Sequence, residues 1–367
     1  MNQKNVLFIN TGIIWGGVEG WHFKTAKSLK KRGYNVFILA AKNTPFEKKC
    51  KKAELNVETI NTIGNSTFVN LIRVYKLVKY LRKNNIEAMF FCQSSHFKFA
   101  SLCGYLAGVK KIIYRRALAK PINNHLYNRV ALKNFVTDFM AISKTTLAKS
   151  VENLSEDILK KIKIQLIYNG VKFDKYAFPE IKTDLRKEFS IGEDEIIIAN
   201  IGRLGRQKAQ QDLIKSIEIL KNYHNKFKVL FVGTGNKRKE YEHLVSQLGL
   251  EEDIIFTGFR NDIPSILSQV DFVAHTAIYE GCPWIVLETM AAGKPIVSVD
   301  IPSVEELVCE GVTGYLVERD YNKIANGILK MINNNDRDNL GYNAQKICQK
   351  NYTFNNMVDK IESEFLN

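Results

Sequence analysis

The chain has 367 residues, 45% of them hydrophobic and 11% aromatic, with a formal net charge of +15. That length suits two domains with a core each, and the composition excludes a disordered or low-complexity chain. No stretch reaches the roughly 18 consecutive apolar residues of a membrane span, and the short run at 6–9 is too brief for a signal segment, so a cytoplasmic protein is expected.

The charge is unevenly placed. Residues 1–170 hold 29 Lys and Arg against 9 Asp and Glu, whereas residues 171–367 hold 24 against 29. Such asymmetry points to an anionic partner met by the first half: nucleic acid, anionic lipid or a phosphorylated acceptor. The six cysteines (Cys50, Cys92, Cys103, Cys282, Cys309, Cys348) form no Cys-x-x-Cys pair, and the six histidines show no zinc-ligand spacing. Buried, reduced thiols and no bound metal are the expectation.

The first half alternates β-rich runs at 5–10, 35–40, 88–92, 111–114, 139–142 and 163–167 with amphipathic segments, the pattern of parallel βαβ units. A helix over 18–31 has Ala26 and Leu29 on its apolar face. A second, over 67–83, has Val69, Ile72, Tyr75 and Leu77 as its apolar positions, with Arg73, Lys76, Lys79, Arg82 and Lys83 on a solvated face. A polar, Asn-Gly-containing stretch at 168–179 breaks the periodicity and marks the boundary between a domain over 1–168 and another over 169–352. The second domain restarts the pattern, with strands at 195–200, 228–232, 253–256, 271–275 and 295–299, and helices at 210–221, 237–248 and about 284–292. After Tyr321 the pattern is helical to the end, broken by an Asn-rich turn at 333–335.

Three clusters carry chemistry. Gly16-Gly17 follows the first strand, where paired glycines let backbone N–H groups approach a phosphate at a helix N-terminus. Gly202-Arg203-Leu-Gly205-Arg206-Gln-Lys208 opens the second domain just past its first strand, the edge at which ligands of open α/β sheets bind. A departing pyrophosphate needs positive charge that stays fixed while negative charge builds; Arg203 offers a bidentate fork and Lys208 a point charge. The third is Glu280-Gly-Cys282-Pro283-Trp284-Ile285-Val-Leu-Glu288. Glu280 precedes a helix and Glu288 lies in its second turn. Free N–H groups of Cys282, Trp284 and Ile285, around Pro283 where the helix opens, suit phosphate oxygens, and the two carboxylates suit hydroxyls on either side. The only Asp-x-Asp, at Asp336 and Asp338, sits in a helix connection and is read as non-functional.

At these residues the chain resembles the retaining GT-B glycosyltransferases of glycosyltransferase family 4. The resemblance extends to Tyr168-Asn169-Gly170-Val171, Val232-Gly233-Thr-Gly235 and Phe256-Thr-Gly258-Phe259. It implies two Rossmann-like α/β domains facing each other across a donor-binding cleft, with a last helix near 353–367 packing back on the first. It implies a nucleoside-diphosphate sugar donor, with Arg203 and Lys208 on the diphosphate, Glu280 on the sugar, Glu288 on the ribose diol and the backbone around Arg260 on the base. Gly16 and Gly17 would lie against donor phosphates or acceptor. His96, in the loop after the strand-like run at 88–92, matches an active-site histidine. Where relatives carry a second histidine, this chain has Arg115-Arg116, which suggests an acidic or phosphorylated acceptor. No metal cofactor is implied. Together with the basic first half, this reads as a hexosyltransferase for a glycan or lipid-linked acceptor in bacterial lipopolysaccharide or surface-polysaccharide synthesis, peripheral on an anionic membrane surface. A nucleotide-sugar epimerase of the same fold would need no acceptor. A nucleic-acid module would need aromatic platforms or a helix-turn-helix, and neither is visible.

Overall fold

The computed structural model of the chain describes residues 4–367. It divides into two units: residues up to Tyr168 together with Met357–Asn367, and Asn169–Asn356.

In the first unit the apolar runs become parallel strands β1 (Asn5–Asn10), β2 (Asn35–Ala41), β3 (Asn56–Ile60), β4 (Ala88–Phe91), β5 (Lys111–Arg116), β6 (Asp138–Ala141) and β7 (Lys163–Leu166), ordered β3-β2-β1-β4-β5-β6-β7. Leu7, Phe8, Ile9, Phe90 and Phe91 have no exposed surface. Continuous apolar runs are what a parallel strand covered on both faces requires. The helices are α1 (Gly17–Lys31), α2 (Pro45–Lys52), α3 (Leu71–Lys83), α4 (Ser94–Ala107), α5 (Leu126–Asn134) and α6 (Lys144–Val151), with a short turn of helix at Glu156–Leu159. The sequence reading lacked β3, α2, α4, α5 and α6. β3 alternates polar and half-buried residues on an edge, so its apolar signal is weak.

The second helix differs from expectation. Thr67–Val69 is a 3-10 turn, and α3 starts at Leu71 because the Asn70 side chain caps it, accepting from Arg73 N at 3.0 Å. Its buried stripe is Val74, Leu77 and Leu81, while Val69, Ile72 and Tyr75 are each about two-thirds exposed. Only Leu77 of the four expected apolar positions faces the core.

The last helix, Phe354–Ile361, continues into a π turn at Glu362–Leu366. Trp21 Nε1 donates to Met357 Sδ at 3.3 Å, and Phe365 meets the Phe90 ring edge-on. Arg32 pairs with Asp359 and Glu362. These contacts place the chain's end in the first unit's core.

The second unit has strands β8 (Ile196–Ile201), β9 (Phe227–Val232), β10 (Ile254–Gly258), β11 (Phe272–His275), β12 (Ile296–Val299) and β13 (Gly314–Val317), all parallel and ordered β10-β9-β8-β11-β12-β13. Each sheet therefore reverses its winding once, at β1/β4 and at β8/β11. A doubly wound sheet opens a crevice beside such a reversal, at the strands' carboxyl ends. All six cysteines are free thiols, five buried and Cys309 exposed. Among the described residues no helix is long and apolar enough to cross a membrane.

Candidate functional site

In the second unit, glycines bring the loops after β8 and β9 into backbone contact. A Cβ on Gly233 would stand 2.1 Å from Gly202 O, and one on Gly235 would stand 1.9 Å from Leu204 O. Gly202 N donates to Val232 O at 2.9 Å and Leu204 N to Thr234 O at 3.0 Å. The Gln210 side chain pins the same loop from within, accepting from Gly205 N and donating to Arg203 O, both at 3.2 Å.

The loop is also tied to the segment after β11. Thr276 Oγ1 donates to Lys208 O at 3.0 Å, Ile278 N to Gln207 O at 2.9 Å, and Gln207 Nε2 to Tyr279 O at 3.0 Å. These bonds carry Glu280 to Lys208: Lys208 Nζ lies 2.7 Å from Glu280 Oε1, with side chains 22% and 15% exposed. The pair stands at the β8/β11 reversal, half-buried and reachable. Arg203, on the same loop, is exposed.

Glu288 lies on the helix Trp284–Ala291, and its Oε1 accepts from the Tyr176 hydroxyl at 2.6 Å. Burial, reinforced by the Glu288 carboxylate, pushes the Tyr176 hydroxyl pKa upward, so it remains a donor. Asn169 is buried and its Nδ2 donates to Cys282 O at 3.0 Å, fixing the turn that leads into the helix. Cys282, Pro283 and Ile285 are buried and Trp284 is half-buried. His275, at the end of β11, is held neutral by burial and by the Lys208 charge, its Nδ1 3.0 Å from Ser298 Oγ. The Arg260 guanidinium is committed to Asp262, Thr183 and Glu188. Its side chain therefore anchors the loop after β10 to the segment around 183–188.

In the first unit, Gly16 caps α1 and Gly17 opens it. The Gly16 N–H is already taken: it donates to Glu19 Oε2 at 3.0 Å, while Glu19 Oε1 accepts from Asn10 Nδ2 and Gln93 Nε2, both at 3.3 Å. A carboxylate of the chain itself thus occupies the helix start where a phosphate was expected. Its spacing, three residues past the cap, is a signal that the sequence carries.

His96 is corrected in place. It lies in the first turn of α4, not in a loop, and its ring has no exposed surface. Thr11 Oγ1 accepts from Ile63 N at 3.1 Å and shares a 2.7 Å hydrogen bond with His96 Nε2. Burial pushes the ring's pKa down to about 4. His96 thus braces the end of β1 against the chain after β3.

Arg115 and Arg116 point to opposite faces of β5, as alternation demands. Arg115 is a core residue, 2% exposed, its guanidinium 4.2 Å from the centre of the Trp21 ring and 3.4 Å from Cys92 Sγ. That burial corrects its expected placement at an acceptor surface. Arg116 is buried too, but lines a cavity on the other face.

The structure thus joins Lys208 to Glu280 and places Arg203 on the same loop. It pairs Glu288 with Tyr176, a partner 112 residues away that no local pattern announces. Among the described residues no cluster of His, Cys, Asp and Glu is arranged to hold a metal ion.

Two doubly wound parallel domains, with a cationic loop and an acidic helix at the second sheet's reversal, have the fold of solved GT-B glycosyltransferases. Residues 181–347 match the family model described as Glycosyl transferases group 1, so this segment is a domain of that family. The chain is similar to an uncharacterized glycosyltransferase of Methanocaldococcus jannaschii, 29% identical over 57% of this chain and 54% of that one, about half its length. It is also similar to the N-acetyl-alpha-D-glucosaminyl L-malate synthase of Bacillus anthracis, 25% identical over 92% of this chain and 90% of that protein. The Anabaena protein HepE, solved with UDP and glucose, superposes with a TM-score of 0.81 at 21% identity, covering 98% and 99% of the two chains. Other matched proteins carry names from capsular-polysaccharide and lipopolysaccharide synthesis.

Proposed function

We propose that this chain is a retaining family 4 glycosyltransferase that moves a hexose-type sugar from a nucleoside-diphosphate donor to a glycan or glycolipid acceptor in bacterial lipopolysaccharide or surface-polysaccharide synthesis. One observation carries the reading: the 2.7 Å approach of Lys208 Nζ to Glu280 Oε1 at the carboxyl ends of β8 and β11. A fixed cation beside a reachable carboxylate meets both demands of a nucleotide sugar, anionic phosphates next to neutral hydroxyls.

In this reading Lys208 and Arg203 balance the charge that gathers on the diphosphate as the anomeric C–O bond breaks. Glu280 accepts hydrogen bonds from the sugar. Glu288, one oxygen held by Tyr176, turns the other to the ribose diol, and the backbone at Arg260 meets the base. Fixed cations do the work a metal would do, so none is required. The acceptor oxygen attacks the face that the diphosphate leaves, its proton passing to a phosphate oxygen, and no covalent enzyme intermediate forms. This differs from the two-carboxylate retaining glycosidases. The carboxylate already at the start of α1 favours acceptor hydroxyls over phosphate near Gly16 and Gly17.

Peripheral attachment to the inner face of an anionic membrane has support in α3. Its outer surface carries the exposed Leu71, Ile72 and Tyr75 among Lys76, Lys79, Arg82 and Lys83. Each cation near such a surface contributes about 1 kcal/mol. The transferase names of the domain and relatives give the epimerase reading no support.

A thermal-shift panel of UDP-, GDP- and ADP-hexoses tests the donor, since a ligand that binds the native state raises its melting temperature. One series should stabilise the chain; no shift from any of them sinks the donor assignment. Proton NMR of the product then reads the anomeric configuration, and an inverted product removes retention. Flotation with anionic vesicles at low and high salt tests attachment: recovery only at low salt is expected, and absence from the lipid fraction there ends that part.

A further inference from the structure

Arg116 ends β5 with 5% of its surface exposed, and a guanidinium carries a positive charge. Its recorded partners are all neutral: Nε donates to Ser150 Oγ, Nη1 to Ser94 Oγ and Tyr114 OH, and Nη2 to the Lys120 carbonyl. Four bonds leave at least one of five N–H donors over. Among the described residues no carboxylate stands within ion-pair distance of it. Burying a charge without a counter-ion costs several kcal/mol, so such groups are normally paired.

The missing counter-charge has a place to sit. Arg116 lines a cavity of about 410 Å³ together with Lys98, Lys120 and His125, and its lining includes no Asp or Glu. Lys98 reaches it from α4, held 5.2 Å from the Phe68 ring and 5.5 Å from the Tyr127 ring. The cavity lies at the carboxyl end of β5, and Ser94, Phe97 and Lys98 from the start of α4 form part of its wall. The start of a helix adds a partial positive charge.

We infer that this cavity binds an oxyanion, a phosphate or carboxylate carried by the acceptor, with Arg116 as its buried counter-charge and Lys98 and Lys120 closing on it from the rim. The inference rests on the transferase reading and deepens it, from a glycan or glycolipid acceptor to one bearing an acidic group. Arg116 supplies directed N–H donors from a rigid wall, whereas the lysines adjust to the size of the anion.

The test uses the full chain with inorganic phosphate and, separately, succinate, against sodium chloride at equal ionic strength, read as a change in melting temperature. Phosphate or succinate should raise it above the chloride control, and the stronger of the two names the kind of anion. Because phosphate also suits the Lys208 loop, the Lys208→Ala chain is run alongside and should keep the response. The Lys98→Gln/Lys120→Gln chain changes rim residues and leaves Arg116 in place, and its apparent affinity should fall by about tenfold, as for a lost charge-assisted bond. Arg116→Lys should restore part of what Arg116→Gln loses. A response equal in wild type and the rim variant, or one abolished by Lys208→Ala, overturns the inference. Neither result touches the donor reading, which stands or falls on nucleotide-sugar binding.

Discussion

Lys208 Nζ and Glu280 Oε1 meet at 2.7 Å although the first follows β8 and the second follows β11, and three backbone-directed hydrogen bonds join the segments that carry them. Because the backbone makes the junction, either side chain should be removable without unfolding the unit. A half-exposed ion pair contributes only about 0–1 kcal/mol to stability.

Lys208→Ala and Glu280→Gln should therefore each lower transfer by about 100-fold or more while moving the melting temperature by only a few degrees. Initial rates with a saturating donor, beside thermal unfolding of the same preparations, check both halves. Turnover at the wild-type rate from either variant removes the role given to that residue.

Tyr176→Phe deletes the hydroxyl that holds Glu288 and leaves the ring in place. A hydrogen bond to a charged group is worth about 1.5–3 kcal/mol. The donor KM should rise by about tenfold or more, with a smaller change in kcat, because Glu288 is assigned to binding rather than to the reacting carbon. Steady-state kinetics against donor concentration separate the two. An unchanged KM would detach Glu288 from the donor.

Gly233→Ala should destabilise the second unit severely, by about 2–4 kcal/mol, since φ is +143° and the new methyl would meet Gly202 O at 2.1 Å. Gly249→Ala is the control. Its φ is +63°, but nothing lies within 4 Å of the added Cβ, so only the left-handed backbone is penalised, about 1 kcal/mol. Urea unfolding of the two variants should rank them in that order.

Acid should weaken the first unit through its buried imidazoles. His96 takes up a proton near pH 6.5 when unfolded but only near pH 4 when folded. Between those values the unfolded state binds more protons, so stability falls as pH drops from about 6.5 to 4 and changes no further below that. The full effect of His96 is about 3 kcal/mol. His22, buried beside Arg115, is depressed in the same direction. Unfolding free energies from pH 7.5 to 4.5 should decline, and His96→Gln should flatten the curve; an identical slope in the variant would contradict this account.

Much of this was legible in the chain. Strand runs, helix faces, the glycine turns and the two acidic positions eight residues apart are local patterns, and a parallel βαβ order follows from their alternation. Edge strand β3 was missed because half-buried edges have weak periodicity. Helix α4, apolar on nearly every side, was missed because it has no polar face to set a period.

What sequence alone determined is the repertoire: two Rossmann-like halves, a cationic loop, an acidic helix and a basic first half. Tertiary structure decided which side chains remain available to a ligand. Adjacent in sequence, Arg115 and Arg116 go one to the Trp21 ring and the other to a cavity wall, because neighbouring positions on a strand face opposite sides of a sheet. Glu288 acquires Tyr176 from 112 residues away, and His96 disappears under its own helix. Such pairings depend on burial and on which strands lie side by side, and both arise only when the sheet closes its core.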